Sequence, residues 1–233
     1  MARILVTGAS TGLGLTSARV LADDGHDVVL HVRRRERVED AAVLDAVSDV
    51  VEADLSDLDA TVALAEHVNR GGRLDAVLHN AGVMTGREVV PVNVVAPYVL
   101  TALLDRPGRS VFLSSSMHLS GRADPAASSY SDSKLQVTAL ALALALRGAV
   151  SHAVDPGWVP TRMGGPGAPD DLDEGHRTQV WLATAPEGEV DPRTGGYWRH
   201  RATREPHAAA RDPRFQDAVL DALRRRTGLD LPG

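Results

Sequence analysis

The chain has 233 residues, a formal net charge of −6 and no cysteine, which is length enough for one sizeable α/β core and leaves no disulfide, thiolate nucleophile or Cys-ligated zinc. Mild acidity, with no basic block beyond the short arginine-rich run 33–37, argues against nucleic acid as a partner. The nine histidines lack HExxH spacing, so no metal is expected, and no stretch reaches the ~18 apolar residues of a membrane span. These features predict a soluble, cytoplasmic protein, one domain over 1–233, acting on a small molecule.

Short apolar runs at 3–8, 27–33, 49–55, 74–82, 110–116 and 149–157 alternate with helix-length segments. Runs this apolar suit strands buried on both faces, and the alternation specifies a parallel sheet with crossover helices. Directly after the first run, in LVTGASTGLG, Gly8, Gly12 and Gly14 open a helix. Glycines there let backbone amides approach a pyrophosphate, whose charge the helix N-terminus stabilises. The second run leads into His31, Arg33 and Arg34 before any carboxylate. Arginine suits a ribose 2′-phosphate because its fork can engage two oxygens.

Residues 139–146 alternate Ala and Leu as a strand would, yet both are strong helix formers, and the segment from Tyr130 to Arg147 is predicted helical throughout. At about 100° per residue, Val137, Leu140 and Leu144 fall on one side, with Leu135, Leu142 and Leu146 nearly opposite. One face can cover the sheet; the other needs a second protein surface or an intrachain pocket. Residues 160–175, rich in Gly, Pro and Asp, form a loop that serves as a linker or a substrate lid. A helix near 174–184, a strand near 195–200 and a helix near 213–226 complete the chain.

Lys134 is the only lysine beside two dozen arginines. It stands four residues after Tyr130, so on a helix the two share a face and can reach one ligand. A free tyrosine titrates near 10, and a neighbouring ammonium favours its phenolate. A compact ammonium is what arginine cannot replace.

These motifs resemble those of the short-chain dehydrogenase/reductase family, in its single-domain branch. The GxxxGxG loop is followed in family order by Asp54-Leu55, HNAG at 79–82, Asn93, Ser115, YSDSK at 130–134 and PGWVPT at 156–161, covering essentially the whole chain. SSSMH, YSDSKLQ and the ending after TGGYWRH are most similar to retinol-dehydrogenase-like and bacterial carbonyl-reductase members. The resemblance implies a Rossmann-type, doubly wound, mainly parallel sheet of about seven strands. It implies that Asn93, Ser115, Tyr130 and Lys134 are catalytic. The cofactor residues it implies are Gly8, Ser10, Thr11, Gly12, Leu13 and Gly14, then Asp54 and Leu55 at the adenine. Asn80, Ala81 and Gly82 follow, with Tyr130, Lys134, Pro156, Gly157, Val159 and Thr161; Arg33 and Arg34 are added from their charge. Asp54 also reads as a helix N-cap, and Ser116 competes with Ser115 for the catalytic role.

In this expectation Ser115 bonds the carbonyl oxygen, Tyr130 exchanges its proton, and Lys134 favours the phenolate and holds the nicotinamide ribose. Asn93 kinks its helix and positions a water beside Lys134. The cofactor is NADP rather than NAD, and the substrate is a neutral, largely apolar ketone or aldehyde, or the matching alcohol, facing Met117, Trp158 and Met163. The same resemblance points to a homodimer or homotetramer formed through the Leu135, Leu142 and Leu146 side. A non-catalytic NADP-binding sensor or scaffold is the alternative, though Tyr130 and Lys134 are both present. The segment 83–92 is short for the family and should leave the cleft open.

Overall fold

A computed structural model of the chain describes residues 1–232. β1 (Arg3–Val6) is the buried apolar run that precedes the glycine loop, and it pairs in parallel with both β2 (Asp27–Val32) and β4 (Ala76–His79). β3 (Asp49–Glu52) lies beyond β2, while β5 (Arg109–Leu113), β6 (Ser151–Val154) and β7 (Tyr197–Arg199) extend the sheet on the other side. Strand order reverses at β1, and in such sheets the crevice beyond the strand C-termini at that point receives ligands. The site is therefore positioned by topology before any side chain is considered.

The sheet has eight strands rather than about seven. β8 (Ala202–Thr203) returns antiparallel to β7 through His200 and Arg201, both at positive φ. A two-residue hairpin of this kind needs left-handed backbone at both turn positions, normally signalled by Asn or Gly. His-Arg carries no such signal.

α1 (Gly12–Asp23), the short α2 (Ala41–Ala46) and α6 (Leu172–Thr184) cover one face of the sheet, closing a core of Ile4, Val6, Leu21, Leu78 and Leu182. α3 (Leu58–Arg70), α4 (Ala96–Leu103) and α5 (Tyr130–Leu146) cover the other. α5 is helical throughout, as its propensity predicts. Its start is fixed by a capping box between Ser129 and Asp132, and Arg122 binds the buried Asp132 carboxylate through both its main-chain and side-chain nitrogens.

The second apolar face of α5 is covered from within the chain. α8 (Pro213–Thr227) and the short α7 (Ala208–Arg211) lay Ala210, Phe215, Val219, Leu220 and Leu223 into the cluster that contains Leu135 and Leu142. Tyr98 of α4 donates to the carbonyl of Leu229, tying down the following segment. Only Leu146, 72% exposed, remains outward. The surface expected to seat a partner is thus an intrachain pocket.

Candidate active site

The glycine loop between β1 and α1 is held on three sides. Gly8 and Gly12 have φ of 66° and 55°, and a Cβ on Gly8 would approach the Cα of Ala81 to 2.6 Å. Asn80 donates its side-chain amide to the carbonyls of Thr7 and Gly8, while Thr7 Oγ1 accepts from the amides of Asn80 and Ala81. His31 completes the support. Its Nδ1 accepts from the Gly8 amide, so Nε2 must carry the proton donated to the carbonyl of Ala53. Burial lowers its pKa to about 4, which makes it a neutral brace rather than a cation for a phosphate. Thr7 and His31 escaped sequence reasoning as loop supports because their partners lie in other strands.

A cleft of about 570 Å³ runs from this loop to Tyr130 and Lys134. Ser10, Thr11, Gly12, Leu13, Gly14, Asp54, Leu55, Asn80, Ala81 and Gly82 line it, as do Pro156 and Thr161. Among the basic residues after β2, Arg33 and Arg37 line the cleft, while Arg34 lies outside its lining. Asp54 closes a turn on Ser56, whose amide and hydroxyl both donate to it and lower its pKa, whereas Asp57 caps α3. The N-cap alternative for Asp54 therefore falls to its neighbour.

The loop after β6 meets the glycine loop directly. Thr161 is so close to Gly12 that a Cβ there would come within 3.0 Å of it, and Arg162 pairs at 3.0 Å with Glu39, whose own amide bonds the carbonyl of Ser10. Gly157 sits at the start of this loop with φ 86°, its amide donating to Asp155. Neither Gly157 nor Val159 is part of the cleft lining; Val159 is buried against Gly175 of α6. The loop is shorter than the predicted 160–175, because Asp171 caps α6 at Leu172.

At the far end of the cleft, Tyr130 and Lys134 share a face of α5, with Lys134 Nζ 5.5 Å from the Tyr130 ring centre. Lys134 is buried, donates to the carbonyl of Leu113 at 2.7 Å, and has its pKa lowered to about 8 by desolvation. The three serines divide sharply. Ser114 is buried against the Thr138 hydroxyl, Ser116 begins a 3-10 turn, and Ser115 accepts from the Met117 amide with its side chain near enough to Tyr130 to act on the phenol's pKa. Burial raises the Tyr130 pKa and outweighs the Ser115 side chain, which acts to lower it. The sequence-based expectation of a phenol lowered by its lysine is not met in the structure itself.

Asn93 lies in a π-helical turn, Pro91–Val95, that leads into α4. Its side-chain amide donates to Val83 and Ser133 and accepts from the Val83 amide. Asn93 Oδ1 and Lys134 Nζ both approach Gly82, each 3.5 Å from where a Cβ would stand. A π turn is a local departure often found at functional sites. Met84 and Met163 line the cleft, Met163 Sδ lies 3.9 Å from the Tyr130 hydroxyl, and Met117 and Trp158 are also exposed. Among the described residues no cluster could hold a metal ion, and no helix is long and apolar enough to cross a membrane.

The short chain dehydrogenase family profile matches residues 2–171. The chain is 38% identical to the short-chain dehydrogenase chyC of Penicillium rubens over 263 aligned residues covering all of both chains. It is 36% identical to chry4 of Gibberella zeae over 262, covering all of this chain and 99% of that one. A solved structure from Shigella flexneri, complexed with NADP, aligns with a TM-score of 0.70 at 25% identity over 86% of this chain and 97% of its own.

Proposed function

The chain belongs to the short chain dehydrogenase family, and we propose that within it the protein is an NADP-dependent reductase of a neutral, largely apolar ketone or aldehyde. That it is an oxidoreductase interconverting alcohol and carbonyl groups with a nicotinamide dinucleotide follows from the family. The observation that carries the finer reading is one cleft that joins the braced glycine loop, with Arg33 and Arg37 in its lining, to Tyr130 and Lys134.

The residues present fit a dinucleotide. Gly8, Gly12 and Gly14 let the loop pack where a Cβ would run into Ala81, Thr161 or Asn80, and the N-terminus of α1 follows it with amides suited to a pyrophosphate. Ser10, Thr11, Leu13 and Thr161 would flank that group, Asp54 and Leu55 the adenine, and Asn80 to Gly82 the adjoining ribose. Arg33 and Arg37 are the cations at the adenosine end of the cleft and would receive a 2′-phosphate. The NADP-bound Shigella flexneri relative is consistent with that preference. A bound dinucleotide supplies the hydride.

The chain's own residues handle the proton. Ser115 donates to the carbonyl oxygen and orients it toward Tyr130, which delivers the proton from its hydroxyl. The raised pKa keeps Tyr130 loaded at neutral pH. Lys134 holds its ammonium under the phenol and favours the phenolate that donation leaves behind. Asn93 fixes the 82–83 backbone beside Lys134, and Met84, Met117, Trp158 and Met163 offer apolar contact without a charge cluster. If subunits associate, they must use a surface other than the Leu135 and Leu142 side.

Tyr130→Phe tests this reading. Carbonyl-dependent oxidation of NADPH should fall at least ~100-fold, the usual worth of a positioned acid, while NADPH affinity by fluorescence stays within about twofold of the parent. Near-normal turnover in the variant would remove Tyr130 from the mechanism.

A further inference from the structure

Asp155 directly follows β6 as a buried side chain, and among the described residues it has no ion-pair partner. Its carboxylate accepts from an uncharged group, the Gly157 amide at 3.0 Å, and helps to raise the pKa of the neighbouring Tyr197 hydroxyl. Its backbone amide donates to the carbonyl of Trp198 in β7, which fixes the main chain at this point. Buried carboxylates are normally compensated by a cation, because desolvation without compensation is costly. Lys134, the cation of this site, is committed to the carbonyl of Leu113. His118 is occupied as well: its Nδ1 bonds the carbonyl of Ser115 and its Nε2 accepts from the His207 amide, leaving a neutral ring whose pKa burial lowers.

The next residue, Pro156, lines the same cleft as Tyr130 and Lys134. A carboxylate without an ion-pair partner thus borders the cleft read above as the dinucleotide site, in which the oxidised nicotinamide ring would be cationic and the reduced ring neutral. We propose that Asp155 sets the charge balance of this site, favouring the oxidised cofactor over the reduced one and biasing the enzyme toward carbonyl reduction. The inference rests on the dinucleotide reading of the cleft.

The bias has two parts. Hydride leaving the reduced ring creates positive charge there, which a fixed carboxylate stabilises through a low-dielectric wall. The same carboxylate acts on Tyr130 to keep it protonated, as reduction requires, and withholds the phenolate that alcohol oxidation requires. The charged and titratable groups facing Tyr130 are Lys134 from its own helix and Asp155 from β6. Those facing Asp155 are Tyr130, His118 from the 3-10 turn and Tyr197 from β7. The overall equilibrium of the reaction is unchanged; what shifts is the relative affinity for the two cofactor forms and the pH at which each direction runs. Asp155 acts through the field it sets on these groups and is a positioning residue rather than a catalytic one.

The test is Asp155→Asn, which removes the charge and keeps an acceptor for Gly157, with Asp155→Ser as a second uncharged variant should the first fail to fold. Dissociation constants for NADPH and NADP⁺ are measured by fluorescence titration and displacement, without turnover. We expect NADP⁺ to weaken about five- to tenfold while NADPH changes less than about twofold, as loss of one charge interaction across protein predicts. The acid limb of the kcat/KM profile for alcohol oxidation should also move to lower pH. An unchanged NADP⁺ to NADPH ratio, or equal weakening of both, would make Asp155 only a brace for the Gly157 turn. If the parent protein bound neither form, the dinucleotide reading itself would fall.

Discussion

Arg34 and Arg37 stand three positions apart in one basic run, and only the second lines the cleft. The backbone reason is the 3-10 turn Arg35–Arg37, which follows Arg34 directly and brings the fourth cation back to the cleft. Charge alone made Arg33 and Arg34 the natural pair; the turn replaces one member. Arg37→Ala combined with Arg33→Ala should weaken NADPH binding by about 1.5–3 kcal/mol, the worth of charge-assisted hydrogen bonds, with little change for NADH. Arg34→Ala should leave both affinities within about twofold. Titration of the two cofactors against the three proteins decides it, and equal losses for NADH and NADPH would mean that the arginines only face solvent. His31 teaches the same lesson. Its place among arginines suggested a basic group, whereas its two ring nitrogens are both engaged by backbone and its burial keeps it neutral.

At the scale of elements, α5 is the clearest case of pattern correctly read and its consequence wrongly located. Two apolar faces did require two covers, and the chain supplies both: β5 and β6 on one side, α7 and α8 on the other. Leu142 is therefore a core residue, not an interface residue. Leu142→Arg should destabilise the fold by about 3 kcal/mol or more, since it buries an unpaired charge where α8 now packs. Chemical denaturation would show this as a lowered midpoint. If light scattering instead showed a folded oligomer converted to a folded monomer of unchanged stability, the intrachain packing of α8 would be wrong.

For the molecule as a whole, buried histidines set the acid limit. Burial holds His31 and His152 near 4 and His79 near 3, against 6.5 for a free side chain. Their folded pKa values are the lower ones, so the unfolded chain binds more protons in that interval and stability rises with pH. The contribution is complete above about pH 6.5 and is lost as pH falls toward 4 and then 3, with His31 alone accounting for up to about 3 kcal/mol. Thermal unfolding should therefore shift to lower temperature progressively between pH 6.5 and 4. His79, stacked on Phe112 with its Nδ1 unpartnered, offers the control. His79→Leu should make the slope with pH shallower, and an unaltered slope would place the acid sensitivity elsewhere.

What the sequence determined by itself was whatever depends on local order along the chain. Alternating apolar runs and helix-length segments specify a parallel α/β sheet, a glycine loop directly after the first run specifies an anion cradle, and Tyr130 with Lys134 at helical spacing specifies a shared face. The helix over 130–146 was legible because propensity acts residue by residue. Tertiary structure decided what depends on elements distant in sequence. It removed Ser114 from the three adjacent hydroxyls by burying it against Thr138, because the packing of β5 against α5 determines which of them turns inward. It put Arg37 in the cleft in place of Arg34, added β8 through a turn lacking Asn or Gly, and used α8 to fill the face that a partner was expected to fill. It also left the Asp155 carboxylate buried without a cation, a property that no spacing in the chain encodes, because burial and the absence of a counter-charge are set only when β6, β7 and α5 come together.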